Sequence, residues 1–246
     1  IRQDKDKKEP VPLEELTKAR NIFFLWTFVA YIGWGISVEL YTNLFYYVID
    51  PGDYAYASLM STIAMSMYSV ASFFISPVAA TLSDSIGRKP MFVLAAVTDT
   101  VVPIISGLLP SNWLYITMMI LQGAGDNSMA TGYSLLADYA TSAPKGHSGS
   151  AEDSFVFRWL YWAVRFGTDT TKLNLDDGSY MEYELNIQFT VVLLLQTVGL
   201  AFGVLVGDFM YSWTGDYKWS YSCAGWVCTP LIFYIWCFMP ETVPLD

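Results

Sequence analysis

The strongest constraint on the fold is a series of long apolar runs, several of them longer than the ~20 residues that cross a bilayer as a helix. Of the 246 residues, 54% are hydrophobic and 15% are charged, whereas a soluble domain carries about 25% charged residues. Many aromatic residues stand near the ends of these runs, as expected where helices meet the membrane surface. The sequence therefore predicts an all-α integral membrane protein embedded in a lipid bilayer.

Turn residues divide the apolar sequence into six predicted transmembrane helices. Four fall within residues 21–139 and two within residues 188–240, after a polar tail at 1–20 and before a short end at 241–246. The six helices are predicted at residues 21–48, 56–82, 91–109, 113–139, 187–211 and 219–239.

A polar insertion rich in Ser, Thr, Asp and Gly occupies residues 140–187, between the fourth and fifth predicted helices. Within it, residues 153–166 are predicted to form a helix too short to cross a membrane. Arg158 and Arg165 stand seven residues apart on roughly one face of this helix, with aromatic residues around the rest. Such a helix can lie in the membrane interface or pack on other protein, and the pattern favours neither.

The basic residues are distributed unevenly about the predicted spans. Six spans would put both termini on one side, together with the turn after the second span and the insertion. Of the 13 Lys and Arg residues, all except Lys218 fall on that side. Because basic residues favour the cytoplasmic side, the sequence predicts cytoplasmic termini, or matrix or stromal termini in an organelle.

The charge and the reactive residues exclude several classes of function. A net charge of -10 argues against a nucleic-acid partner, whose phosphates would be repelled. The single histidine, His147, lies in a polar loop. The three cysteines lie in the last predicted span without metal-ligand spacing. With no phosphate-binding loop or nucleophile motif, we expect no enzyme activity, no cofactor and no metal.

The turn between the second and third predicted spans carries a charged motif. Gly87 suits a tight turn between an acidic helix end and a basic helix start. The motif residues are Leu82, Asp84, Gly87, Arg88 and Lys89. In this position they resemble the signature loop of the major facilitator superfamily, whose pattern is roughly G-x-L-a-D-r-x-G-r-k.

Three weaker motifs agree with this resemblance. Residues 122–125 (Gln-Gly-Ala-Gly) are similar to the family motif R-x-x-q-G-x-g. The Tyr133-x-x-x-Ala137-Asp138 ending of the fourth span is similar to that of drug/proton antiporters and proton-coupled folate-type carriers. Residues 199–208 resemble an antiporter motif, and residues 240–242 (Pro-Glu-Thr) are a frequent family ending.

The resemblance implies a secondary active transporter of a small organic solute, coupled to protons and working by alternating access. The family has two six-helix halves with the substrate site between them, and this chain resembles the N-terminal half. Its partners would be a second half, a second copy or other membrane subunits. Ala80, Met119 and Val204 depart from the family motifs. They keep open an alternative, a non-transporting structural subunit of a larger membrane complex built on a half-transporter fold.

Acidic residues within spans are costly and are therefore candidates for function. The resemblance implies that the first and fourth spans face the central cavity, and a carboxyl group held there could bind and release a proton. The candidate substrate or proton residues are Glu39, Asp99, Gln122, Asp126, Asn127 and Tyr133. No Lys or Arg lies within a predicted span, which favours proton-coupled or cationic cargo over anionic cargo. The alternative is that the acids accept hydrogen bonds that hold the bundle together.

The family motif also implies a gate and a packing face. Asp84, Gly87, Arg88 and Lys89 match gating positions, and Asp138 is expected to join Arg88 or an arginine of the insertion. A simple charged loop that sets topology is the alternative, favoured for Lys89. The glycines at 199, 203 and 207 recur every four residues, a spacing typical of close helix packing. These packing candidates are Gly199, Gly203 and Gly207.

Overall fold

The computed structural model describes residues 11–49, 51–126, 128–143, 155–165 and 179–243, without the side chains of residues 39, 155–157, 165 and 179. The described residues form eight α-helices, and a π-helical turn (Phe45–Ile49) continues the first of them. The helices are α1 (Leu13–Leu44), α2 (Tyr54–Ile86), α3 (Arg88–Leu108), α4 (Asn112–Gly125), α5 (Ser128–Ser142), α6 (Phe155–Arg165), α7 (Ser179–Thr214) and α8 (Tyr217–Phe238). The chain is thus all-α over the described residues, as the sequence predicts.

Five helices among the described residues are long and apolar enough to cross a membrane. They are α1 with its π-helical turn, α2, α3, α7 and α8. The helices α4 and α5 have 14 and 15 residues, fewer than the ~20 that a crossing needs.

The continuous helix predicted over residues 113–139 is wrong, because the structure interrupts it between α4 and α5. Asp126 has non-helical backbone angles, φ -79° and ψ 79°. Gly123 and Gly125 precede it, and glycine is a weak helix former. The Asp126 carboxylate also accepts a hydrogen bond from the Ser128 hydroxyl at 2.6 Å, a local bond that competes with helix formation. These effects together end α4 inside the predicted span.

Other helix bounds also differ from the prediction. α1 begins at Leu13, within the predicted tail, and α7 begins at Ser179, within the predicted insertion. The short helix predicted at 153–166 corresponds to α6. Residues 1–10, 144–154, 166–178 and 244–246 lie outside the described residues.

The helices α1 and α7 pack closely against each other. A Cβ atom built on Gly203 would lie 2.2 Å from the carbonyl oxygen of Ile32, and one on Gly35 would lie 2.3 Å from that of Leu200. Since no side chain fits there, the two backbones approach directly. Gly199 and Gly207 of the predicted stripe also lie against α1.

Two buried apolar clusters fill the ends of the bundle. One contains Phe23, Trp26 and Phe92, whose rings are mutually packed at centroid distances of 5.5 to 6.2 Å. The other contains Ile36 and Tyr115. Along α1 the first cluster ends at Ala30 and the second begins at Ile32. The polar residues described next lie around this boundary.

Candidate functional site

A cavity of about 230 Å³ opens between α1, α2, α3, α4, α5 and α8. Its walls combine aromatic and polar side chains from separate helices. The aromatic side chains are Trp26, Tyr31, Trp34 and Tyr68, and the polar ones include Ser37, Asp99, Gln122 and Asp126. This is the cavity to which the structure assigns the acids of the third and fourth predicted spans.

Asp126 stands at the break between α4 and α5 and accepts hydrogen bonds from two directions. The Tyr68 hydroxyl of α2 donates to its Oδ2 at 2.9 Å, and the Ser128 hydroxyl of α5 donates to its Oδ1 at 2.6 Å. Its backbone N–H donates to the Gln122 carbonyl at 2.7 Å and closes the last turn of α4. The carboxylate is therefore oriented by three helices and is partly buried at the cavity wall.

Asp99 of α3 lies on the same cavity and is also partly buried. Gln122 is only 5% exposed. Its side-chain amide donates a hydrogen bond to Oδ1 of Asp99 at 3.2 Å. No Lys, Arg or His occurs in the sequence from 21 to 87 or from 90 to 144. These two stretches supply nearly all of the cavity wall, which is therefore acidic without a basic residue among its lining side chains.

Three of the six predicted substrate or proton residues meet at this cavity: Asp99, Gln122 and Asp126. Tyr133 is not among its lining residues; its ring packs on Phe189 of α7 at a centroid distance of 4.9 Å. Asn127 and the side chain of Glu39 lie outside the described part of the chain.

Sequence reasoning missed the aromatic wall. Trp26, Tyr31, Trp34 and Tyr68 all lie well inside predicted spans, away from the interfaces where aromatic residues concentrate. That mid-span position is the signal that could have identified them. Trp34 and Tyr68 form a tilted ring pair with centroids 5.3 Å apart.

The predicted gating residues lie at the junction of α2 and α3. Arg88 is 4% exposed, and its guanidinium forms an ion pair with Asp138 at the end of α5. It also donates to the Thr242 hydroxyl at 3.4 Å. Asp84 is exposed, and Lys89 places its ammonium 5.9 Å from the centroid of the Trp236 ring. The structure thus brings Arg88 and Asp138 together, one of the two pairings that the sequence left open for Asp138, whereas Asp84 is exposed and takes no part in this pair.

Glu241, just after α8, completes this junction and was missed as a site residue. Its carboxylate accepts the backbone N–H groups of Arg88 at 2.9 Å and Lys89 at 3.2 Å, groups that a helix start leaves without partners. Gly87 has φ +100°, a conformation that favours glycine. A Cβ atom there would also lie 2.3 Å from the Glu241 carboxylate. The Pro-Glu-Thr sequence was the available signal.

Comparison with solved structures shows a shared fold. The crystal structure of the human organic anion transporter MFSD10 (TETRAN) matches with a TM-score of 0.62 and 15% sequence identity, over 96% of this chain and 49% of that one. The chain therefore spans about half the length of the structure that it matches. A search of curated proteins finds no match.

A family comparison by sequence identifies the chain independently of the fold. The profile described as Major Facilitator Superfamily matches residues 5–150, which is more than half of the 246 residues. The match confirms the resemblance of the Asp84–Lys89 region. It also agrees with the expectation of no enzyme activity, because this is a family of transporters. The chain belongs to the Major Facilitator Superfamily, a family of multi-pass membrane proteins that act as secondary transporters.

Proposed function

We propose that this chain takes part in proton-coupled transport of a small organic solute by alternating access. The observation that carries the proposal is the pair of carboxyl groups, Asp99 and Asp126, on one cavity inside a bundle of membrane-spanning helices. Acids in such positions are rare and mark ion and substrate pathways. The family membership supports transport, and the paired acids support coupling.

Proton coupling follows from the cost of charge in the cavity. A carboxylate within the membrane is unfavourable unless a cation or a proton neutralises it, and no basic residue lines this cavity. Gln122 donates to Asp99 while Tyr68 and Ser128 donate to Asp126, so each acid is held in place as its charge changes. Uptake and release of a proton would then accompany exposure of the cavity to either side.

The junction at Arg88 is the proposed gate on the side of the chain termini. Arg88 joins α3 to Asp138 of α5 and to Thr242 after α8. Glu241 adds hydrogen bonds to the start of α3. These contacts connect the start of α3, the end of α5 and the residues after α8. In the proposed cycle, this group of helix ends contacts a second half, a second copy or another subunit when the cavity opens to the opposite side.

We further propose that α4 and α5 together form one interrupted crossing, which gives six spans. Their 14 and 15 residues exceed the ~20 residues of a crossing only when combined. Six crossings put both termini, the α2–α3 turn and α6 on one side, which the distribution of basic residues makes cytoplasmic or its organellar equivalent. An accessibility scan with cysteines at Ser111 and Thr141, exposed positions at the two ends of the α4–α5 pair, would contradict this topology if both positions reacted from the same side.

The transport proposal is tested in proteoliposomes that contain the purified protein and a trapped pH-sensitive dye. A panel of small organic cations, neutral solutes and anions is added, and solute-dependent proton movement is recorded. We expect at least one solute to move protons, and Asp99→Asn and Asp126→Asn to slow this movement about ten-fold or more, as expected when a positioned proton carrier is lost.

Asp208→Asn is the matched control, because Asp208 is also an acid within a predicted span but is exposed on α7 and does not line the cavity. Its proton movement should equal that of the unchanged protein. If no solute in the panel moved protons, or if all three variants behaved alike, the proposed function would be rejected.

A structural role in a larger membrane complex is the second candidate. The observation that favours it is α6, which leaves Trp159 and Trp162 59% and 61% exposed while Leu160 and Tyr161 pack on the bundle. Large exposed aromatic residues are typical of binding surfaces. Purification from the native membrane in mild detergent distinguishes the two roles: other subunits should co-purify, and Trp159→Ala with Trp162→Ala should release them. A protein that purifies alone contradicts this role.

A further inference from the structure

We infer that the cavity binds the positively charged nitrogen of a small organic cation, held between the carboxylates of Asp99 and Asp126 and the aromatic side chains around them. The inference deepens the proposed function by naming its cargo class. It rests on that function only for the claim that the bound molecule is transported. The binding itself can be tested without any transport measurement.

The charge of the cavity disfavours anionic cargo while Asp99 or Asp126 is ionised. An anion would have to approach two carboxyl groups in a medium of low dielectric constant, where like charges repel strongly. It would find no Lys, Arg or His among the lining residues. A monovalent cation, in contrast, balances the negative charge of an ionised carboxylate and so takes the place of a proton. The cavity thus favours positive cargo before any detail of shape is considered.

The aromatic side chains select an organic cation over a bare metal ion. Trp34 and Tyr68 meet at a ring-centroid distance of 5.3 Å and an angle of 37°, and Tyr31 lines the same cavity. Alkylated ammonium groups bind the faces of such rings by cation–π attraction. Hard metal ions instead require a shell of oxygen ligands, and one oxygen of Asp126 is already engaged by Tyr68.

The volume limits how much of the cargo this cavity encloses. At about 230 Å³ it is smaller than the roughly 300–1,000 Å³ that encloses a drug-sized ligand. It accommodates an ammonium head group with its substituents. Any longer part of the molecule would extend beyond the residues that line it.

Choline is a suitable probe because it is a small quaternary ammonium ion, whose head group suits the acids and the aromatic rings of the cavity. Its neutral isostere, in which a tert-butyl group replaces the trimethylammonium group, has the same shape without the charge. Binding of both compounds and of benzoate to the purified protein is measured by calorimetry in detergent. We expect choline to bind about ten-fold or more tightly than its neutral isostere and benzoate not to bind.

Variants then locate the binding in this cavity. Asp126→Asn, Asp99→Asn and Trp34→Ala should each weaken choline binding about ten-fold or more, whereas Asp208→Asn should leave it unchanged. Asp126→Glu, which keeps the charge, should retain most of the affinity and shows whether Asp126→Asn acts through charge or through misfolding. Thermal unfolding of every variant accompanies the binding measurements.

Three results would overturn the inference. The first is equal binding of choline and its neutral isostere, and the second is binding of benzoate but not of choline. The third is choline binding that the cavity variants leave unchanged. These failures differ from failure of the proposed function. Proton movement driven by a neutral or anionic solute would support transport while rejecting cationic cargo. Choline binding without any solute-driven proton movement would support a cation site in the cavity while rejecting proton-coupled transport.

Discussion

The hydroxyl group of Tyr68 lies 2.9 Å from Oδ2 of Asp126 and donates a hydrogen bond to it. The two residues are 58 positions apart in the chain, and their bond joins the middle of α2 to the point where α4 ends. Because Ser128 occupies the other oxygen of the same carboxylate, Tyr68 fixes the direction in which Asp126 faces the cavity. Tyr68 is therefore a positioning residue for the acid.

Replacement of Tyr68 by Phe tests this positioning role. Tyr68→Phe keeps the ring and removes only the hydroxyl, so we expect a loss of about 1 kcal/mol in unfolding free energy and slower solute-driven proton movement in proteoliposomes. Tyr234→Phe is the control, because Tyr234 is 38% exposed and has no hydrogen bond to another described residue. Equal proton movement in the two variants would contradict the role of Tyr68.

Replacement of Glu241 by Ala should uncap α3. The carboxylate accepts the N–H groups of Arg88 and Lys89, and loss of a side-chain cap costs about 0.5–2 kcal/mol. We expect a lower thermal unfolding midpoint for Glu241→Ala and an intermediate one for Glu241→Gln, which keeps an acceptor oxygen. Glu14→Ala, at an exposed position in α1, should have little effect. A midpoint for Glu241→Ala equal to that of Glu14→Ala would show that the cap does not stabilise the fold.

The contact between α1 and α7 predicts opposite outcomes for one substitution at two glycines of the same stripe. A Cβ atom at Gly203 would lie 2.2 Å from the Ile32 carbonyl oxygen, whereas one at Gly207 would have its nearest neighbour at 3.4 Å. Gly203→Ala should therefore destabilise the protein by about 1–3 kcal/mol through overpacking. Gly207→Ala should be neutral or slightly stabilising, because Ala favours a helix. Thermal unfolding in detergent compares the two, and equal effects would reject this account of the packing.

The ion pair between Arg88 and Asp138 predicts energetic coupling. Arg88 is largely buried whereas the Asp138 side chain is 51% exposed, so solvent screening reduces the strength of the pair. Asp138→Asn and Arg88→Gln should each destabilise the protein. The double variant should be less destabilised than their sum, by about 1 kcal/mol. Chemical denaturation of the four proteins gives this coupling energy, and additive effects would show that the pair does not contribute.

The helical bundle, the charged turn and the acids could be predicted because each depends on local sequence. Apolar runs predicted the five long helices found among the described residues, together with a sixth that the structure interrupts, and Gly87 between charged residues predicted the turn. The acids of α3 and α4 stood out because charge is rare within spans. Their meeting on one cavity required the tertiary structure.

The remainder depends on contacts that sequence patterns do not record. The break at Asp126 leaves the apolar character of residues 113–139 unchanged, so hydropathy predicts one continuous helix. Gly123 and Gly125 are small because Tyr68 and Thr98 of neighbouring helices approach them closely. The bond from Arg88 to Glu241 spans 153 positions, and no local pattern predicts such a distant cap.

The interruption between α4 and α5 brings the ends of two helix dipoles together. The aligned peptide dipoles of α4 leave a partial negative charge at its C-terminal end, and that end lies at Asp126 on the cavity wall. The N-terminal end of α5, which begins at Ser128, brings a partial positive charge of similar size to the same break, so the two backbone dipoles largely cancel there. The electrostatic potential at the break is therefore set by the carboxyl groups of Asp99 and Asp126, and substitution of both acids should remove the preference for positive charge.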